Sequence, residues 1–156
     1  MSEDVEVGEG LVRIRIRLDA PAGAGSAEDS VWAEPLGSQR YRVESCPFFA
    51  FGISRDDVVH AAEAPGEGPV LDDVLEKGGH RTLRLLLNPS VELRSAPVQR
   101  LLERLVEMGC THELLRPKLL AIDLPPEVDL AAVAQLLQEA ARAGTLAWEW
   151  ADPRPS

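Results

Sequence analysis

Cysteine is almost absent from the chain, with Cys46 and Cys110 the only two in 156 residues. Two thiols make no disulfide framework and are too few for a thiolate zinc site. The histidines His60, His80 and His112 stand apart, with no HxH, HxxxH or CxxC spacing, so neither a metal nor a cofactor is expected. Gly8-Glu9-Gly10 and Gly23-Ala24-Gly25 do not lead into helices, which argues against a phosphate loop, and no serine lies in a Gly-x-Ser-x-Gly elbow. No apolar run approaches the roughly 20 residues that cross a bilayer. The opening MSEDVEVGEG is acidic and lacks the apolar stretch of a secretory signal, so a cytoplasmic location is expected. Lysine is scarce too, Lys77 and Lys118 against 14 arginines, and Asn88 is the single asparagine.

What is present is apolar residue and acid. Hydrophobic residues make up 45% of the chain, enough for a packed core in one domain or two very small ones. The formal charge is −10, with 9 basic and 16 acidic side chains in residues 1–88 and 7 and 10 in residues 89–156. A field of this sign repels phosphate backbones and anionic membranes, so neither nucleic acid nor membrane is expected as a partner. It favours encounter with a basic protein. The wealth of Arg, Ala, Gly and Pro is the signature of GC-rich bacterial coding.

Hydrophobic spacing divides the chain in two. Leu11 to Leu18 reads LVRIRIRL, the strict alternation of a half-buried strand. Ala20 to Ser30 has the composition of a loop. Val31 to Leu36 and Arg40 to Glu44 flank Gly37-Ser38-Gln39 as a hairpin. Asp57 to Ala64 and Val70 to Lys77 are further strands, so five short strands predict a small barrel-like sheet. Arg81 to Leu87 is a strand, and Ser95-Ala96-Pro97 opens a helix whose face is Val98, Leu101, Leu102, Leu105 and Val106, closed by Gly109. Strands at Thr111 to Leu115 and Leu119 to Leu124 follow. A helix capped by Asp129 ends at Gly144, and Thr145 to Trp150 is the last strand. The order βαββαβ matches a ferredoxin-like unit. The expected fold is therefore α+β: a tail over residues 1–10, a small N-terminal β-barrel-like sheet over 11–78, a packed ferredoxin-like βαββαβ unit over 79–151, and a second tail over 152–156.

Several motifs are distinctive: Trp32-Ala33, Tyr41-Arg42-Val43, Pro47-Phe48-Phe49, Gly52-Ile53, Asp57-Val58-Val59 and Gly79-His80-x-Thr82-x-Arg84. With Glu107-Met108-Gly109-Cys110, Ile122-Asp123-Leu124-Pro125 and Val128-Asp129-Leu130, they resemble a family of short bacterial proteins catalogued as a domain of unknown function. The resemblance implies a shared architecture and surface, and it supplies no reaction. In one departure, Asp56 stands where the family tends to have glycine, which points to an altered turn.

Two constellations compete for function. His80, Asp57, His60 and Cys46 are the candidate catalytic residues, a thiol or imidazole with an orienting carboxylate in a cleft between the halves. His80, behind two glycines, is expected to hydrogen-bond a turn carbonyl, or else to bind an anion or a buried carboxylate. Cys46 lacks a basic neighbour and is expected to be inert. The second constellation holds all three phenylalanines, Phe48, Phe49 and Phe51. They are expected as a core plug between the halves, or else as an exposed ridge that anchors a partner. Trp32, Phe48, Phe49, Phe51 and Arg84 are the candidate partner-binding residues. Arg13, Arg15 and Arg17 form a stripe, with Arg40 and Arg42 across the sheet, expected to be balanced by Glu34, Glu44 and Glu63. Trp148 and Trp150 share a face with Leu146 and are expected to pack on the helix layer, or else one of them to sit at the junction with the barrel. The function expected is that of a noncatalytic binding protein, such as an immunity or inhibitor protein or a regulatory partner. An enzyme or small-molecule binder around His80 and Asp57 is the alternative. The oligomeric state is left open.

Overall fold

Alternation decides the first half. In the computed structural model, which describes residues 10–18 and 28–152, Ile14 and Ile16 of β1 (Val12–Arg17) are buried while Arg13 and Arg17 face out. β2 (Glu28–Gly37) and β3 (Arg40–Val43) pair antiparallel. Ser38 and Gln39 between them have φ of 56° and 62°, the left-handed pair of a hairpin turn that matches strand twist. Gly37, read as the pivot, takes up the adjoining bulge instead. β4 (Val58–Ala64) and β5 (Gly68–Glu76) form a second hairpin. β5 then pairs with β1 in parallel at Val70 and Arg15, so the five-stranded sheet closes on itself. Its interior holds Ile14, Ile16, Val31, Ala33, Val59 and Ala61.

The second half is a four-stranded sheet in the order β7-β8-β6-β9, built from β6 (Arg81–Leu87), β7 (Thr111–Arg116), β8 (Leu119–Leu124) and β9 (Leu146–Asp152). All its neighbours are antiparallel. Leu83, Leu85 and Leu87 of β6, with Leu120, Ile122 and Leu124 of β8, share one core with α1 (Ala96–Glu107) and α2 (Leu130–Arg142). The described residues are thus α+β, mostly strand with two helices.

The helix ends show which local signals count. Asp129 caps α2 by accepting from the Ala132 N–H at 3.2 Å. Ser95 takes the extended cap backbone, but its hydroxyl makes no capping bond and, among the described residues, is buried without a partner. Burial outweighs that loss. A cap contributes about 1 kcal/mol, whereas Val98, Leu101, Leu102 and Leu105 are buried at roughly 1.5–3 kcal/mol each. Val106, expected on this face, is exposed.

Several expectations change. Residues 28–30, read as loop, begin β2. β9 runs on to Asp152, which was assigned to a tail and is fully buried. Trp148 and Trp150 form an edge-to-face pair, with centroids 6.2 Å apart, and both pack against the helix core, the first of the two placements expected for them. Arg15 pairs with Glu28 and Arg17 with Glu67, while Arg13 donates to the Ser30 hydroxyl. Among the described residues, only Glu34 of the three expected carboxylates takes an arginine, and that is Arg42. The remaining tail positions, Asp19 and residues 20–27 of the expected loop lie outside the described residues.

Candidate functional site

The period of β6 builds the junction between the halves. With Leu83, Leu85 and Leu87 committed to the helices, Thr82 and Arg84 fall on the opposite face, and both are buried there. The Ser54 hydroxyl donates to Asp152 Oδ2 at 2.6 Å and lies 2.7 Å from the Thr82 hydroxyl. Asp57, fully buried, accepts from the backbone N–H of Ser54 at 2.9 Å and of Gly78 at 3.0 Å. Lys77 Nζ bridges the carboxylates of Asp57 and Asp152 and donates to the Gly52 carbonyl at 3.0 Å. One cation between two buried carboxylates ties the closed sheet to β6 and β9. The approach is close: a Cβ on Gly78 would lie 2.3 Å from the Asp56 carbonyl oxygen. Asp56 itself sits at φ 74°, a conformation that glycine adopts without strain, so the altered turn keeps the glycine geometry with an aspartate in it.

The four candidate catalytic residues are engaged separately. Asp57 belongs to the lysine bridge. His60 Nδ1 lies 2.6 Å from Asp72. His80 Nδ1 lies 2.8 Å from Asp123 Oδ1 and 3.1 Å from its Oδ2, so its carboxylate partner is Asp123 and not Asp57. The Cys46 thiol is buried. Desolvation pushes its pKa far up, with the Glu113 and Asp123 carboxylates adding to the shift. The same two causes, burial first and Asp123 second, push the Cys110 thiol up to about 11. Both sulfurs therefore stay protonated at neutral pH and are poor nucleophiles. Among the described residues no three His, Cys, Asp or Glu side chains converge as a metal-holding group.

The phenylalanines are not a plug. Phe48, Phe49 and Phe51 are 36%, 42% and 64% exposed, while Cys46, Pro47, Ala50 and Ile53 of the same connection are buried. Two buried charges hold the connection in this pose. The Asp29 carboxylate accepts from four backbone N–H groups, those of Ser30 (2.8 Å), Phe48 (3.1 Å), Phe49 (2.6 Å) and Ala50 (2.9 Å). From the other side, Arg84 donates to the carbonyls of Pro47 (3.3 Å) and Phe49 (3.0 Å). Its guanidinium also pairs with Glu149 and lies 4.8 Å from the centre of the Phe51 ring. With its backbone partners satisfied, the segment turns its aromatic side chains outward.

That ridge borders an open groove of about 760 Å³. Phe48, Phe49 and Phe51 form one wall, with the uncovered end of the sheet, Leu86 and Leu119, and the β7–β8 turn around Pro117 on the other sides. Leu86 is 54% exposed there. A smaller hollow of about 310 Å³ adjoins it, sharing Phe48, Phe49 and Arg116 and lined further by Arg13, Arg15 and Ser30. Trp32, the fifth candidate partner-binding residue, lines neither hollow. It is half-buried on β2, with its backbone N–H donated to the Ser45 hydroxyl. Arg84 lies at the groove's base as a buried support for the ridge rather than as a free contact residue.

Sequence reasoning missed Asp29, Lys77, Ser54, Asp152 and Arg116. Lys77 left a trace, as one of two lysines and immediately before the paired glycines. Thr82 and Arg84 belong to the Gly-His-x-Thr-x-Arg motif, whose period-two spacing already put His80, Thr82 and Arg84 on one face.

No curated protein matches the chain. Among solved structures it is similar to one titled "Novel crystal structure of a hypothetical protein from Neisseria gonorrhoeae", with a TM-score of 0.75 at 13% identity over 91% of this chain and 94% of that one. The likeness is one of fold. Residues 29–148 match the family model described as "Domain of unknown function (DUF4265)", and the chain belongs to that family.

Proposed function

We propose that this chain is a noncatalytic, cytoplasmic protein-binding module, in which a small β-barrel packed on a ferredoxin-like unit presents the Phe48–Phe51 ridge to a partner. One observation carries the reading. All three phenylalanines of the chain are held out of the core on a connection that Asp29 and Arg84 fix from below. Exposed aromatics on a rigid support give large contact area at little ordering cost, the usual composition of interface anchors. An immunity, inhibitor or regulatory role is the specific form of this function. The strand order β7-β8-β6-β9 with both helices on one face supports the ferredoxin-like description. The competing catalytic reading needs His80, Asp57, His60 and Cys46 to converge, and their separate engagements do not favour it.

The test is a pair of substitutions, Phe49→Ser and Phe51→Ser, made together. The double variant is expected to keep its melting temperature within a few degrees, because the lost contacts are largely solvent-facing. It is also expected to lose a partner that the wild-type chain retains from native lysate in stoichiometric amount. A variant that keeps the same partner contradicts the assignment of the ridge.

A further inference from the structure

The charge of the groove is opposite to that of the chain. Five cationic side chains, Arg13, Arg15, Arg84, Arg116 and Lys118, line the two adjoining hollows. Their acidic counterparts are largely committed. Glu28 pairs with Arg15, Glu149 with Arg84, and Asp29 is held by four backbone N–H groups. Arg13 donates to a serine hydroxyl, and Arg116 lies 5.0 Å from the centre of the Phe49 ring. Among the described residues neither has a carboxylate within ion-pair distance. Among the described residues, two arginines with no carboxylate in ion-pair distance therefore border one hollow, which Glu28 and Asp29 also line, next to a wider groove walled by phenylalanine and leucine.

Resting on the reading of this groove as the binding surface, we infer that its occupant is an acidic segment of a partner protein. A carboxylate of that segment sits between Arg13 and Arg116, and a large apolar side chain of the same segment lies against Phe48, Phe49 and Phe51. The net charge of −10 predicts a basic partner, but that field is screened beyond about 10 Å at ordinary ionic strength. At contact distance the local arginines decide. Arginine is suited to the task, since its planar fork binds a carboxylate through two N–H bonds while its face stacks on an aromatic ring. Arg116 over Phe49 is already in the stacked arrangement, with its guanidinium positioned beside the hollow.

The experiment titrates the full chain into three fluorescein-labelled peptide pools and reads anisotropy at two salt concentrations. The first pool alternates Asp or Glu with Phe or Leu, the second replaces the acids with Asn and Gln, and the third replaces them with Lys. The acidic pool is expected to bind best, more weakly at high salt. Arg116→Gln is expected to lower its affinity roughly tenfold or more, the loss of one charge-assisted contact. Phe51→Ser is expected to lower the affinity as well, whereas Arg142→Gln on α2 leaves it unchanged.

Equal binding of the amide pool, abolished by Phe51→Ser, overturns the acidic occupant and leaves the groove as an apolar docking surface. Stronger binding of the lysine pool returns the partner to a basic protein. If no pool binds, or if neither substitution alters binding, the inference fails. The unaltered-binding result counts against the groove itself as well. A fourth arm carries Glu3→Gln, Asp4→Asn, Glu6→Gln and Glu9→Gln together. Binding of the acidic pool that emerges only in this variant assigns the groove to the chain's own N-terminal acids instead of a partner.

Discussion

A thiol next to carboxylates in a dry site resists ionisation, and both cysteines of this protein are in that position. The Cys46 pKa is raised by burial and then by Glu113 and Asp123, and that of Cys110 by burial and then by Asp123. The consequence for stability has a definite sign. Below the ordinary value of 9.0 both the folded and unfolded chains hold the Cys110 proton, and the stabilisation is fully present. As pH rises from 9.0 towards about 11, the unfolded chain releases a proton that the native state retains, so stability falls across that window. Urea unfolding at several pH values from 8 to 10.5 is expected to show a steeper decline for the wild type than for a Cys46→Ser, Cys110→Ser double variant. A thiol reagent at pH 8 is expected to label neither cysteine until the protein unfolds. Rapid labelling of native Cys46 contradicts the inert thiol.

The connection between β3 and β4 is the element on which the proposed function depends, and it is held by charge rather than by its own secondary structure. Asp29 accepts four N–H groups, three of them from Phe48, Phe49 and Ala50. Asp29→Asn removes the negative charge and turns half of the acceptor into a donor facing N–H groups. It is expected to cost about 2–3 kcal/mol, as charged hydrogen bonds in buried sites do. Chemical denaturation measures this loss. Faster hydrogen exchange confined to residues 48–50 separates the local release from global unfolding.

This element also marks the limit of what spacing alone conveys. Strands and helices carry a period, and so β1, both helices and the βαββαβ order were legible in Ile14-x-Ile16, in Val98 to Leu105 and in the cap at Asp129. The phenylalanine run has no period. Its apolar composition predicts a plug, and only the far-off anchors Asp29 and Arg84 turn it outward. Arg84 stood out through its motif, but as a contact residue and not as the buried support it is. Asp29 was not, because an acid at the edge of a Ser- and Gly-rich stretch reads as loop.

Across the whole molecule, two sheets with separate apolar cores are joined through polar chemistry. Lys77 stands between Asp57 and Asp152, with Ser54 and Thr82 completing the contact. Replacing Lys77 by methionine leaves two buried carboxylates facing one another, and roughly 3–5 kcal/mol of stability is expected to be lost. Adding Asp57→Asn and Asp152→Asn to the methionine is expected to recover part of it, since the repulsion goes with the charges. Calorimetry of the single and triple variants checks both statements. A small effect of Lys77→Met indicates that the halves are held by packing alone. The alternative, catalytic reading of the sequence placed His80 and Asp57 in this cleft as chemistry. The structure makes Asp57 a brace and gives His80 to Asp123, because pairing across strands is set by register that no single segment reveals.

The charge of the groove, set against the charge of the chain, leads to the most direct test. A two-dimensional amide NMR titration of the full chain with the acidic–apolar peptide pool maps every contact in one experiment. Shifts concentrated at residues 48–51, Arg13, Leu86 and Arg116 are the predicted result. Shifts that cluster instead around His80 and Asp123, or on the α1–α2 face, contradict the account and move the functional site elsewhere.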